Sequence, residues 1–254
     1  MKVALFISNE IGISLLNHLR NPKNLWKALA DLCGKPMIER LSDRILCADK
    51  VDQIILATTS LSSDNELEDW ALSKGHQVFR GSSDDVLGRL NEAAKYYNLE
   101  KVVEILGDNP LVHSDMINEA IKLQETTKCD YVATLTNEYP KADKKLKRFP
   151  IGIRVQVLTR QTLEKCEILA REQRHREHAT SFIAEHPEIF DTQFIEARVD
   201  FNRPELNFAV NKDTHLEMIR KIFLYGLKID PNFTLDKAIE YVNFNKNLIS
   251  VMGG

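Results

Sequence analysis

Val102-Val103-Glu104-Ile105-Leu106-Gly107-Asp108-Asn109-Pro110-Leu111-Val112 is the stretch whose reading decides the fold. It opens as an apolar, β-branched run of strand length and closes at a Gly-Asp turn. Ligands of parallel α/β sheets sit just beyond the carboxyl ends of the strands. Asp108 therefore stands where a carboxylate can hold Mg2+, a hard cation that prefers carboxylate and phosphate oxygens. Gly107 lets the backbone approach a phosphate or a base closely, and Pro110 stops the strand. The same residues also suit a plain strand-end turn in which Asp108 caps the following helix.

Working outward, strands are expected at 2–8, 52–58, 77–79 and 130–135. Between them the spacing predicts helices at 37–47 behind Pro36, at 64–74 ended by Gly75, from the polar loop 80–85 to about 97, and at 114–127. Residues 9–25 mix helix-like spacing with an Asn21-Pro22 turn signal, and 27–36 read as a loop. Strand-helix alternation in short units implies an α/β fold with a mostly parallel central sheet and helices on both faces. The second half changes character. A lysine-rich mobile surface loop is expected at 138–148, strands at 151–158, 194–199 and 206–210, and helices at 159–170, from 174, at 213–224 and at 233–241. Thr234 or Asn232 caps the last of these. No linker divides the chain, so one domain over 1–254 is expected.

The bulk numbers narrow the function classes. In 254 residues, 43% hydrophobic and 28% charged is an ordinary globular balance, and a net charge of −3 advertises no nucleic-acid surface. Cys33, Cys47, Cys129 and Cys166 have neither CxxC nor zinc spacing; Cys47 and Cys129 read as buried thiols in a reducing compartment. The first residues read as a strand rather than a signal peptide, and no run has the length of a membrane span. A cytoplasmic protein without membrane partners is expected. His113 and His215 carry no metal spacing and read as structural.

Three stretches, one of them from the end of Val102–Val112, carry a resemblance. Arg80-Gly81-Ser82-Ser83-Asp84-Asp85-Val86-Leu87-Gly88-Arg89, Leu106 to Leu111, and His175-Arg176-Glu177-His178-Ala179-Thr180 occur in the order seen in the cytidylyltransferases that activate acidic sugars. The branch the chain most resembles is the spore coat polysaccharide biosynthesis protein F type, related to the 3-deoxy-manno-octulosonate and acylneuraminate enzymes. Lys27 to Met37 is similar to a loop end of the octulosonate branch. Order plus several motifs is more specific than any one motif.

The resemblance implies a Rossmann-like nucleotide-diphospho-sugar transferase fold, with 138–210 partly a sugar-binding and dimerisation subregion of a homodimer. It implies transfer of CMP from CTP to an acidic sugar or related acid, with release of pyrophosphate and Mg2+ as cofactor, for surface polysaccharide synthesis. Lys27 and Asp108 are then the catalytic residues. Ser8, Asn9, Gly12, Lys27, Arg80, Ser82, Asp85, Arg89 and Gly107 would bind nucleotide. Arg154, Gln156, Arg176, Glu177 and His178 would bind the acceptor, and Asp108, Asn211 and Asp213 the metal. Read on their own, Arg80 and Arg89 are bidentate anion partners, or Arg89 pairs with Asp85 four residues away on a helix surface. Lys27 and Lys35 are mobile point charges for phosphate. His178 is a partner of Glu177 or a subunit contact.

The chain departs from the family pattern in three places. Glu10 stands where an arginine is expected, with Arg20, Lys23 and Lys27 as compensating charges. Asn211 stands where the pattern has a second metal-binding aspartate. Arg154 and Gln156 replace Asp and Glu, which turns the acceptor pocket from acidic to basic. The altered loop and Asn211 support the alternative of a non-catalytic nucleotide-binding relative, whereas the change at Arg154 and Gln156 suits an anionic acceptor. A glycosyltransferase is a second alternative, although Asp108-Asn109-Pro110 is no DxD pair.

Overall fold

Alternation along buried strands builds the two cores of this protein. The structure is a computed structural model and describes residues 3–8, 26–51, 53–139, 141–178 and 180–249. Its first half runs β1 (Val3–Ser8), α1 (Trp26–Leu29), α2 (Met37–Ile45), β2 (Gln53–Thr59), α3 (Asn65–Ser73), β3 (Gln77–Gly81), α4 (Val86–Tyr96), β4 (Lys101–Leu106), α5 (Ser114–Thr127) and β5 (Tyr131–Thr134). The second half adds β6 (Gln156–Thr159), α6 (Arg160–Leu169), α7 (Gln173–Glu177), α8 (Ser181–Glu185), β7 (Thr192–Ile195), α9 (Asp213–Gly226) and α10 (Leu235–Phe244). Every residue of β4 is buried. Val103 and Ile105 join a core with α2, α5, α9 and α10, while Val102 joins the opposite core with α4, α6 and α8. A strand that alternates between two apolar faces needs helices on both, which is the α/β arrangement expected from the sequence.

The strands form one seven-stranded sheet in the order β3-β2-β1-β4-β6-β5-β7. All pairs are parallel except those of β6, which runs antiparallel to β4 and β5. Gln156, where β6 begins, lies opposite Glu104 and Ala133. The chain before Gln156 therefore lies at the carboxyl end of β4, the edge where a parallel sheet binds ligands.

Several expectations need correction. The segment 206–210 forms no strand; one bridge joins Ile151 to Asn207, and β6 starts only at Gln156. Gly152, at φ +86, lets these backbones meet, since a Cβ there would lie 2.3 Å from the Ala209 nitrogen. The helix expected from 174 is two short pieces, α7 and α8, and the strand expected at 194–199 is shifted back to β7 at Thr192–Ile195, with a 3-10 turn at Val199–Phe201. The loop read as 27–36 begins with the helical turn α1 and closes through a bridge between Asp31 and Pro36. The 138–148 loop is not loose. Buried Arg148 donates to the carbonyls of Thr136, Tyr139, Ala142 and Asp143 and winds the loop around itself. Cys47 is exposed rather than buried, whereas Cys129 and Cys166 are buried. Thr234 holds the cap position of α10, but its hydroxyl meets Asp236 and not the helix backbone. The stretch 9–25 lies outside the described residues.

Candidate active site

The end of β4 brings charged residues together from three distant pieces of chain. The Gly107-Asp108 turn closes with the Asn109 amide donating to Leu106 at 3.1 Å. The Asp108 carbonyl then accepts from the Val210 amide at 2.9 Å, which brings 206–210 alongside and sets Asn211 and Asp213 next to the turn. His215, buried in the first turn of α9, donates from Nδ1 to the Ala209 carbonyl at 2.9 Å and fixes this approach. Lys27 enters from α1. It is only 7% exposed, and its Nζ donates to the Asn211 carbonyl. Burial pushes the ammonium below the usual lysine range, while Asp213 and then Asp108 pull it back up. The first turn of α9 adds the positive end of a helix to the same place.

Arg44 supports this turn and was missed by sequence reasoning. It is buried in α2 and donates to the carbonyls of Val112 at 3.0 Å and Leu111 at 3.5 Å. Its guanidinium lies over the Phe233 ring at 4.9 Å, a cation–π contact that offsets part of its desolvation. Burial pushes its pKa down to about 10. The signal available was an arginine on the apolar face of an amphipathic helix. His113, which follows the turn, caps α5 through Nδ1 and donates from Nε2 to Asn232 at 3.3 Å, a structural role.

The loop at the end of β3 is built differently. Arg80 donates to the carbonyls of Thr59 and Leu61, to Asn65 and to the Glu68 carboxylate, so it clamps the segment after β2. Ser82 Oγ accepts from the amides of Asp84 and Asp85, and Asp85 caps α4 by accepting from the Gly88 amide at 2.8 Å. Arg89 is 1% exposed and donates to the Ser82 carbonyl at 2.6 Å. The ion-pair partner of Asp85 among the described residues is Arg176, not Arg89. Gln173 adds a bond to the Asp84 carbonyl at 3.1 Å, so α7 braces the whole loop. Lys35 pairs with Asp43 and Glu39 at the surface.

A cavity of about 440 Å³ opens where α8 and β7 meet Glu138, Tyr139, Lys141 and Ala142. Arg154 and His178 line it, with Glu138, Lys141, Thr180 and Phe194. Arg154 pairs with Glu138 at 3.1 Å. Gln156 does not line it. It is fully buried, donates to Glu104 at 2.9 Å and accepts from the hydroxyls of Tyr131, Tyr139 and Thr180. Glu177 is buried and accepts from Gln173 at 3.2 Å.

Comparison with known proteins decides the family. The cytidylyltransferase family model matches residues 26–241. The chain belongs to the cytidylyltransferase family. A protein of Methanocaldococcus jannaschii known as uncharacterized protein MJ1063 is 32% identical over 227 residues, covering 87% of this chain and 88% of that protein. The spore coat polysaccharide biosynthesis protein SpsF of Bacillus subtilis is 27% identical, covering 68% and 67%. The 3-deoxy-manno-octulosonate cytidylyltransferase of Trichlorobacter lovleyi is 37% identical over 38% of this chain and 37% of its own. A solved cytidylyltransferase from Leptospira borgpetersenii has the same fold, with a TM-score of 0.82 at 22% identity over 98% of this chain and 97% of that one.

Membership makes CTP the nucleotide of this cytidylyltransferase and cytidylyl transfer its reaction class. Its fold is the Rossmann-like nucleotidyltransferase fold. Of the expected nucleotide residues, Asn9 and Gly12 lie outside the described residues; Ser8 ends β1 beside Leu106, and Gly107 is buried in the turn that follows. No described helix is long and apolar enough to cross a membrane.

Proposed function

We propose that this cytidylyltransferase transfers CMP from CTP to an acidic sugar or sugar-like acid for surface polysaccharide synthesis. The observation that carries the reading is the meeting of Lys27, Asp108, Asn211 and Asp213 at the end of β4. An acceptor oxygen attacks the α-phosphorus, a new P–O bond forms, and the bond to pyrophosphate breaks while the acceptor proton is released. Lys27 offers a point charge to the phosphates. Arg154 and His178 offer donors to an acidic acceptor in the cavity.

The residues present fit Mg2+. The buried Lys27 ammonium already feels the charges of Asp213 and Asp108, so the donor set favours a cation. Among the described residues no group of three or more His, Cys, Asp or Glu could hold a metal ion by itself. Mg2+ needs only one or two carboxylates when substrate phosphates complete its shell. Asp108 and Asp213, with the Asn211 amide, would hold it, and it would neutralise charge on the phosphates. A homodimer joined through 138–210 belongs to the same reading, and light scattering checks it.

The test is pyrophosphate release from CTP and Mg2+ with a panel of sugar acids. Release with one acid and none with neutral sugars supports the reading. CTP binding with no release from any acid favours the alternative that Asn211 suggests, a relative that binds nucleotide without turning it over.

A further inference from the structure

Lys27 does more in this site than wait for phosphate. Its side chain is buried, and its donor is committed to the main-chain oxygen of Asn211, one of the residues assigned to the cation. The charges acting on it are those of Asp213 and Asp108, the other two assigned residues. The bond from the Val210 amide to the Asp108 carbonyl joins the two segments that carry these residues. Like charges confined to one small site exclude each other. A triphosphate changes the balance, because it offers Lys27 a second anion and offers a metal its remaining oxygen ligands.

We infer that Lys27 is the resident cation of the nucleotide-free site, occupying it until CTP draws the ammonium away, so that the metal enters only together with nucleotide. The inference rests on the proposed cation site and adds an order of events to it. Its consequence runs against the usual expectation for a catalytic lysine. Removing Lys27 should weaken CTP binding and at the same time tighten metal binding in the absence of CTP. By linkage, the factor by which CTP tightens metal binding should be larger in the unaltered protein than in the variant.

The experiment titrates Mn2+, followed by electron paramagnetic resonance, into the unaltered protein, Lys27→Met and Lys27→Gln, each with and without CTP. Thermal melting confirms which variants are folded. The expected result is no uptake by the free unaltered protein at millimolar Mn2+, uptake once CTP is added, and at least about tenfold tighter nucleotide-free uptake by a folded variant. If folded variants take up Mn2+ no more tightly than the unaltered protein, while CTP still brings the metal in, the inference is overturned and the cation site stands. If the unaltered protein takes up no Mn2+ even with CTP, the cation site itself falls and the inference with it. Should neither variant fold, the Lys27 ammonium signal in a nitrogen-15 spectrum of the unaltered protein decides. It should move on adding CTP and stay in place on adding millimolar Mg2+ alone; a shift with Mg2+ alone overturns the inference.

Discussion

At the end of β3, Arg80, Asp85 and Arg89 direct their charges at other parts of the protein; at the end of β4, Asp108 and Asp213 act on a single ammonium. Both regions sit at the carboxyl edge of the sheet, and both looked like nucleotide contacts in the sequence. The difference lies in what the rest of the chain brings to them. The β3 loop receives α7, whose Arg176 and Gln173 cover Asp85 and Asp84, and its own arginines meet backbone carbonyls. The β4 turn receives an exposed Asn211 and Asp213 and a buried lysine. Arginines that turn donors onto backbone carbonyls brace the loop, whereas two carboxylates acting on one buried ammonium make the charge arrangement that the proposed site uses.

The comparison breaks most visibly at Asp108. Asp108→Asn should lower pyrophosphate release at least about a hundredfold, near 2.7 kcal/mol, with the melting curve unchanged. Release that survives this change removes the cation site from the chemistry. Next in size is Arg89→Ala, which takes a 1% exposed guanidinium from beneath the loop. It should cost about 2–3 kcal/mol in urea unfolding, far more than an exposed helix pair would. A stable Arg89→Ala protein that no longer binds CTP would show that the loop is a contact after all.

Arg176→Ala should cost about 1 kcal/mol, because the pair it leaves is 19% and 34% exposed. Part of that loss should vanish at high salt when measured by the same unfolding curves. Gly88→Ala sharpens the point. A Cβ at that position would lie 2.5 Å from an Asp85 carboxylate oxygen and 2.9 Å from Arg176, so the pair must shift even though both charges remain. Similar losses in the two variants would identify the Asp85–Arg176 contact as the brace. Lys35→Ala should be the smallest change, under about 0.5 kcal/mol in thermal melts, because its partners Asp43 and Glu39 form surface pairs. A large loss of CTP affinity there would restore Lys35 as a phosphate partner.

Much of the fold was legible. The helix expected at 114–127 is α5 to the residue, and β4 and β2 fall within a residue or so of the expected strands. Caps, glycine stops and apolar periodicity act over a few residues, so a single chain displays them. The misses have long-range causes. The apolar run 206–210 looks like a strand, yet it is held by two backbone hydrogen bonds to Ile151 and one to Asp108 rather than by a ladder. Gln156 reads as a pocket residue, yet antiparallel β6 turns it into the buried partner of Glu104 and two tyrosines. Arg44 received no role from the sequence, yet it carries the turn after Asp108.

By itself the sequence determined the α/β class, the strand that ends at Gly107-Asp108, and the motifs that mark the family. Local backbone preferences and the alternation of buried side chains are enough for that. Only the tertiary structure decided which charged residues meet one another across the length of the chain. Lys27 reaches the carbonyl of a residue 184 positions away, and Arg176 reaches a carboxylate 91 positions away. A charge acts through whatever stands within a few ångströms of it, and the fold chooses those neighbours from the whole length of the chain.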